Sequence, residues 1–258
     1  MAVIALKEEA SPELEQAAKR VHWVSLGELS KTIDLMHQEG VTQAVMAGQV
    51  KHNKIFSAIR PDWKLAKLLF SLPRKNTDAL IGAVARVLED EGIQLVDSTL
   101  FLKPLLPDAG VLTRRAPNEH EAEDMAYGRA LAQQIAGMDI GQTVLISDHA
   151  CVAVEAMEGT DEVIARAARI VAGKPLVVVK VSKPAQDMRF DVPVVGLPTV
   201  EQMKNAGATA LAVDAGRTLL FDRAKLIELA DASGIAIQAF PPGAVAEPRG
   251  ETRGINRE

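Results

Sequence analysis

The feature that most constrains this chain is the recurrence of short apolar runs, each the length of one strand, between segments of helical period. In the first hundred residues AVIAL, VHWVSL and VTQAVMAGQV alternate with an acidic helical stretch and the helical patterns GELSKTIDLMHQEG and NTDALIGAVARVLEDEG. Strands separated by helices favour parallel pairing, because a helix is the usual crossover between parallel neighbours. The expected fold class is α/β, beginning with a parallel-sheet domain whose ligands meet the carboxyl ends of the strands. Gly48 and Gln49 fall at such an end. Gly40 and Gly92 read as helix stops, Ser25 or Ser30 as the cap of the first helix, and Asn76 or Thr77 as the cap of the second, with Asp78 in its first turn. IQLVDSTLFL reads as the strand that closes this half, residues 1–103.

Three prolines and the pair Arg114–Arg115 mark PLLPDAGVLTRRAP, residues 104–117, as a connection between domains, although an ordinary surface loop has the same composition. The second domain, residues 118–240, opens with a helix over EHEAEDMAYGRALAQQIAGM. Strand patterns QTVLISDH, ACVAVEAME, LVVVKVS and DVPVVGL follow, with the helix TDEVIARAARIVAG among them. After the helix TVEQMKNAGA come ALAVDAG and RTLLFD, where Gly216 and Arg217 suit a tight hairpin, then the helix RAKLIELADASG and the strand IAIQAF. This succession predicts a mixed α/β domain. The tail, residues 241–258, is polar and rich in glycine, proline and charge, the composition of a disordered segment.

Composition narrows the partners. A net charge of -5 over 258 residues supplies no basic field for a nucleic-acid backbone. The single cysteine, Cys151, makes no internal disulfide and sits in an apolar strand pattern, and no secretory signal is evident, so a reducing cytoplasm is expected. No apolar run approaches the roughly 20 residues that span a bilayer, which leaves peripheral contact as the route to a lipid. KLAKLLFSL is the candidate: Leu65, Leu68, Leu69 and Leu72 share helical spacing, flanked by Lys64 and Lys67. That pattern fits a membrane-surface helix, and more often marks a helix packed on a core.

The densest chemistry lies in VVVKVSKPAQDMRFDVPVVG, where an apolar strand empties into Lys180, Lys183, Gln186, Asp187, Arg189 and Asp191. Two carboxylates on a loop can hold one divalent cation while water and a phosphate fill its other positions. Lys183 and Arg189 can neutralise a diphosphate. A salt-bridged surface loop has the same residues. A second cluster, AVEAMEGTDE, brings Glu155 and Glu158 to a strand end before Gly159 and Thr160 open a helix. Such a start can bind an anion, or it is simply a helix with Asp161 and Glu162 placed well in its first turn. The five histidines show no HxxxH pair, so they are read as structural and a zinc site is not expected. Serine-hydrolase, P-loop and dinucleotide fingerprints are absent.

In order along the chain, VMAGQVKH, RKNTDALIGAV, LVDSTLFL, GVLTRRAP, DIGQTV, VAVEAMEGTDE, VVVKVSKPAQDMRFDVPVVG and AVDAGRTLLFDR closely resemble the LpxI family of UDP-2,3-diacylglucosamine diphosphatases. The resemblance implies a two-domain enzyme of lipid A assembly with a nucleotide-binding-like first domain and a second domain special to the family. It implies hydrolysis of the substrate to UMP and 2,3-diacylglucosamine 1-phosphate with Mg2+, at the cytoplasmic face of the inner membrane. Asp191 matches the family's catalytic aspartate, and Asp187 is expected to help it hold the metal. Gly48, Gln49, Asp78, Thr160, Lys183, Gln186 and Arg189 are the implied substrate-binding positions. Family members usually begin one strand, one glycine-rich loop and one helix earlier, so the first domain reads as incomplete. The alternative expectation is therefore a nucleotide-sugar or lipid binding protein without turnover. A homodimer is expected on the general frequency of twofold assemblies.

Overall fold

The computed structural model describes residues 1–48, 60–72 and 77–243, without the side chains of Thr77 and Asp78. The chain divides into two compact units. The first holds Met1–Phe101 with Met188–Asp191, and the second holds Leu102–Asp187 with Val192–Glu258.

In the first unit β1 (Val3–Leu6) and β2 (Val21–Val24) pair in parallel around the short helix α1 (Leu14–Ala17). After α2 (Leu29–Gln38), β3 (Gln43–Val45) pairs in parallel with β4 (Gln94–Val96), across α3 (Trp63–Ser71) and α4 (Thr77–Asp90). The described strands of this unit are thus parallel, as the alternation with helices requires, but they form two separate pairs. Leu29 and Ile33, one turn apart on α2, bury against Leu65, Leu80, Leu88, Ile93 and the β4 residue Leu95. Gly40 and Gly92 take the expected positive φ of 66° and 77° after their helices.

Two local expectations change. Neither Ser25 nor Ser30 caps α2. Instead the two oxygens of Asp62 divide the work: Oδ1 accepts from Leu65 N of its own helix at 2.9 Å, and Oδ2 accepts from Ser30 N at 2.6 Å. A carboxylate can close two helix starts where a hydroxyl can close one. The strand expected over IQLVDSTLFL stops at Val96, because Asp97 Oδ1 accepts from both Thr99 N and Thr99 Oγ1 at 2.7 Å and turns the backbone.

The second unit is built on a six-stranded mixed sheet in the order β5 (Gly110–Val111), β12 (Ala236–Phe240), β10 (Ala208–Asp214), β8 (Leu176–Lys180), β6 (Thr143–Ser147) and β7 (Ala150–Val154). The three central strands β12, β10 and β8 run parallel, and β5, β6 and β7 join antiparallel. Both faces are covered, which explains why β6 and β8 read as continuous apolar runs. On one face α6 (Thr160–Val171), α7 (Leu197–Asn205) and α8 (Arg223–Ala232) pack on Leu145, Val178 and Leu211; on the other, α5 (Glu119–Gly137) packs on Ile146, Val177 and Val179. Gly128 permits that approach, since a Cβ there would stand 2.7 Å from Val179 Cγ2 and 2.8 Å from Ile146 Cγ1.

The hairpin expected at Gly216–Arg217 does not form. β9 (Val194–Val195) and β11 (Leu219–Leu220) pair with each other in parallel outside the main sheet, while Asp214 O accepts from Thr218 N at 3.2 Å and turns the chain away from β10. Residues 104–117, expected as a connection, are bound into the second unit. There Leu112 N donates to Ile237 O, Arg114 pairs with Asp231, and Arg115 makes a bidentate pair with Glu121 at 2.6 and 2.9 Å. Burial alone would raise the Glu121 carboxyl, but the Arg115 guanidinium and the Asn118 backbone outweigh it and hold that group below the usual range. Glu121 also completes a capping box with Asn118 at the start of α5. The tail expected to be disordered lies outside the described residues from 244 onward.

Candidate active site

The loop that carries the densest polar cluster is rooted in a buried charge network. β8 ends at Lys180, and the chain passes through buried Val181 and Ser182 before it reaches Lys183. Beside it β10 ends at Asp214, which is fully buried. Asp214 Oδ2 accepts from Ser182 N at 2.7 Å and Ser182 Oγ at 2.9 Å, and Oδ1 accepts from Arg129 Nη1 at 2.8 Å. Arg129, on α5, also donates to Pro241 O and lies 4.6 Å over the Phe240 ring. A carboxylate is tolerated at this depth only because a guanidinium and two further donors satisfy it. The network ties together the carboxyl ends of β8, β10 and β12, the edge at which parallel strands present ligands.

Next to this root is a relay of three side chains. Lys180 Nζ donates to Thr160 Oγ1 at 2.6 Å, and Thr160 Oγ1 donates to Glu155 Oε1 at 2.8 Å. Thr160 opens α6 directly after Gly159, whose φ of 90° glycine adopts readily. The Thr160 hydroxyl therefore faces Glu155 and Lys180 and leaves the helix start without a side-chain cap. Glu155 is only 7% exposed, and its Oε2 is buried without a hydrogen-bond partner among the described residues. Gly141 holds the strand end in place: its Cβ position lies 2.0 Å from Glu155 O, so no larger residue fits there.

Beyond the root, Lys183 N donates to Gln186 Oε1 at 3.1 Å and Lys183 Nζ reaches Asp139 Oδ1 at 2.7 Å. These residues and Asp187 belong to the second unit, whereas Met188–Asp191 belong to the first. There Ser98 N and Ser98 Oγ both donate to Met188 O at 2.9 Å, and the Arg189 guanidinium lies 5.9 Å from the Phe190 ring centre. Asp191 is exposed, with a left-handed φ of 56°. Gly48 follows β3 with φ 91°. Gln49 and the Asp78 side chain lie outside the described residues.

The structure therefore joins Thr160 with Lys180 and joins Lys183 with Gln186 in the second unit, and places Gly48, Arg189 and Asp191 in the first. Sequence reasoning missed Arg129, Ser182, Asp214, Asp139 and Ser98. A charged residue ending the apolar run ALAVD was the one visible signal for Asp214; its partner is 85 positions away on a helix, beyond the reach of any spacing rule. Cys151, half-buried in β7 with Sγ turned to Ala153 O, has its thiol pushed up by burial, which suits packing rather than attack.

Profiles of the LpxI N-terminal domain and the LpxI C-terminal domain match residues 1–105 and 108–238. The UDP-2,3-diacylglucosamine pyrophosphatase LpxI of Caulobacter vibrioides is 31% identical over 251 residues, covering 93% of this chain and 89% of that protein. With both domain profiles matched in order and a named relative aligned over almost all of its length, the chain belongs to the LpxI family.

Proposed function

We propose that this protein hydrolyses the diphosphate of UDP-2,3-diacylglucosamine, releasing UMP and 2,3-diacylglucosamine 1-phosphate. The observation that carries this reading is the alignment with the Caulobacter pyrophosphatase over 93% of the chain. The polar loop after β8 supplies the chemistry. Phosphoryl transfer depends mainly on positioning and on charge stabilisation. Lys183 and Arg189 supply positive charge to the diphosphate oxygens, and Gln186 and Thr160 orient it. Asp191, exposed at the far end of the loop, positions the attacking water. Gly48, Gln49 and Asp78 are the binding positions in the first unit. The carboxylates of Asp187 and Asp191 are hard oxygen donors of the kind Mg2+ takes in ones and twos beside phosphate and water. They would hold that ion, which supplies charge neutralisation when bound.

The test is UMP release from UDP-2,3-diacylglucosamine, with Mg2+ and with chelator. Release that requires Mg2+ supports the reading. Substrate bound in a calorimeter, yet no UMP with any divalent metal, would overturn it in favour of a binding protein.

The substrate carries two acyl chains, and α3 provides a surface suited to the membrane that holds them. The leucines turn inward: Leu65 is buried and Leu68, Leu69 and Leu72 pack against the first unit's core, so of the two readings of this stripe the core-packing one holds. The opposite side leaves Trp63 82% and Phe70 91% exposed, two turns apart, with exposed Lys67 between them. Residues 51–75 contain seven lysines and arginines against one aspartate in a chain of net charge -5. Aromatic residues amid positive charge favour an anionic lipid interface. No helix among the described residues is long and apolar enough to cross a membrane. We infer peripheral contact with the cytoplasmic face of the inner membrane through Trp63, Lys67 and Phe70. Trp63→Ser with Phe70→Ser is expected to lower partition onto phosphatidylglycerol vesicles by about tenfold or more, from the apolar area withdrawn. Unchanged sedimentation with the vesicles would remove this surface from the reading.

A further inference from the structure

We infer that the first turn of α5 and the β6–β7 turn together form a binding site for a transition-metal ion of the Zn2+ type, with His120, Glu123 and His149 as ligands. His120 and Glu123 are three residues apart on α5 and so share a face. The turn between β6 and β7 has both central residues, Asp148 and His149, at positive φ, 54° and 58°. This is the two-residue turn that matches strand twist and normally takes asparagine or glycine. A histidine is disfavoured in this left-handed backbone, and the result of placing one there is to set the His149 ring against His120, with ring centres 4.7 Å apart.

One potential ligand atom from each of His120, Glu123 and His149 lies within 4.8 Å of the other two. His149 Nε2 is 3.5 Å from Glu123 Oε2. A tetrahedral ion with bonds near 2.1 Å spaces its donors by about 3.4 Å, so small side-chain rotations complete the set. A second feature points the same way. Behind His149 stands the Asp124 carboxylate, buried, whose Oδ1 accepts from His149 N at 2.8 Å and lies 3.3 Å from His149 Nδ1. A carboxylate on one ring nitrogen fixes the imidazole and leaves the other nitrogen for a metal. Asp148 Oδ1, 3.8 Å from His120 Nε2, is the nearby oxygen for a fourth position. Two imidazoles with carboxylate suit Zn2+ or Co2+, whereas Mg2+ prefers an all-oxygen octahedron.

This set departs from the expectation drawn from the missing HxxxH pair, since its histidines come from different elements. It is also remote from the candidate active site within the second unit. β6 runs from Thr143, opposite Lys180, to Ser147 at the turn, so the metal ligands and the Lys180 relay occupy opposite ends of the same strand. An ion here clamps α5 to the β6–β7 turn and takes no part in hydrolysis.

The experiment is calorimetric titration of the metal-stripped full chain with Zn2+, beside His120→Gln and His149→Asn. Asparagine suits the left-handed backbone at 149, so that variant keeps the turn. One ion per chain is expected, unaffected by excess Mg2+, with affinity lower by about 10–100-fold in each variant. Co2+ should give the visible absorption of a low-coordinate site, lost in both variants. UMP release should be unchanged by either substitution, so the outcome is separable from the diphosphatase reading. No Zn2+ binding by the parent, or equal binding by parent and variants, overturns the site.

Discussion

Asp191→Asn is expected to reduce kcat for UMP release by about three orders of magnitude while KM changes little, the pattern of a group that acts chiefly in the transition state. Asparagine keeps the size of the side chain and tolerates the left-handed backbone, φ 56°, that residue 191 adopts. The substitution removes the charge at nearly constant size, and thermal unfolding of the variant separates an effect on turnover from one on folding. Alanine is the poorer probe, because it adds backbone strain at the same position. Steady-state assays at saturating Mg2+, with melting curves on the same samples, check the expectation. Turnover within tenfold of the parent would remove Asp191 from the centre of the chemistry.

Asp214→Ala is expected to destabilise the protein by about 3–5 kcal/mol, because it removes the carboxylate that neutralises the buried Arg129 guanidinium. Both side chains are almost wholly buried, at 2% and 0% exposure, so water cannot take the place of the lost carboxylate. The same substitution removes the acceptor for Ser182 N and Ser182 Oγ, and with it the anchor of the loop that leads to Lys183 and Asp191. A loss of this size is a large share of the ~5–15 kcal/mol that holds a typical domain together. Denaturant unfolding measures it. The double variant Arg129→Met with Asp214→Leu should recover stability relative to Asp214→Ala, since the buried positive charge is then gone. Recovery of stability without recovery of UMP release would separate the network's packing role from its hold on the loop.

The elements that sequence periodicity foresaw are those whose cause is local. The helix over 119–137 carries its own capping box, the stop signals at Gly40 and Gly92 act on their own turns, and the strands 143–147 and 176–180 are apolar enough to be buried on both faces. Expectations failed where a distant residue outbid a local one. Ser30 lost its capping role to Asp62, more than thirty positions later in the chain, and RTLLFD left β10 to pair with Val194–Val195. The leucines of α3 are a mixed case: their spacing gave the helix, but which face meets the core depended on what packs against it.

The candidate site divides along the same line. Motif order alone pointed to an α/β protein resembling the LpxI family, and to a polar stretch from Lys180 to Asp191 that follows one apolar strand. Only the tertiary structure decided that the loop is rooted on Asp214 and Arg129, that Thr160 is bound between Lys180 and Glu155, and that His120 and His149 converge. The reason is physical: a loop's residues are neighbours by covalent connection, whereas a buried ion pair or a ligand cluster exists only once separate strands and helices have been packed into register.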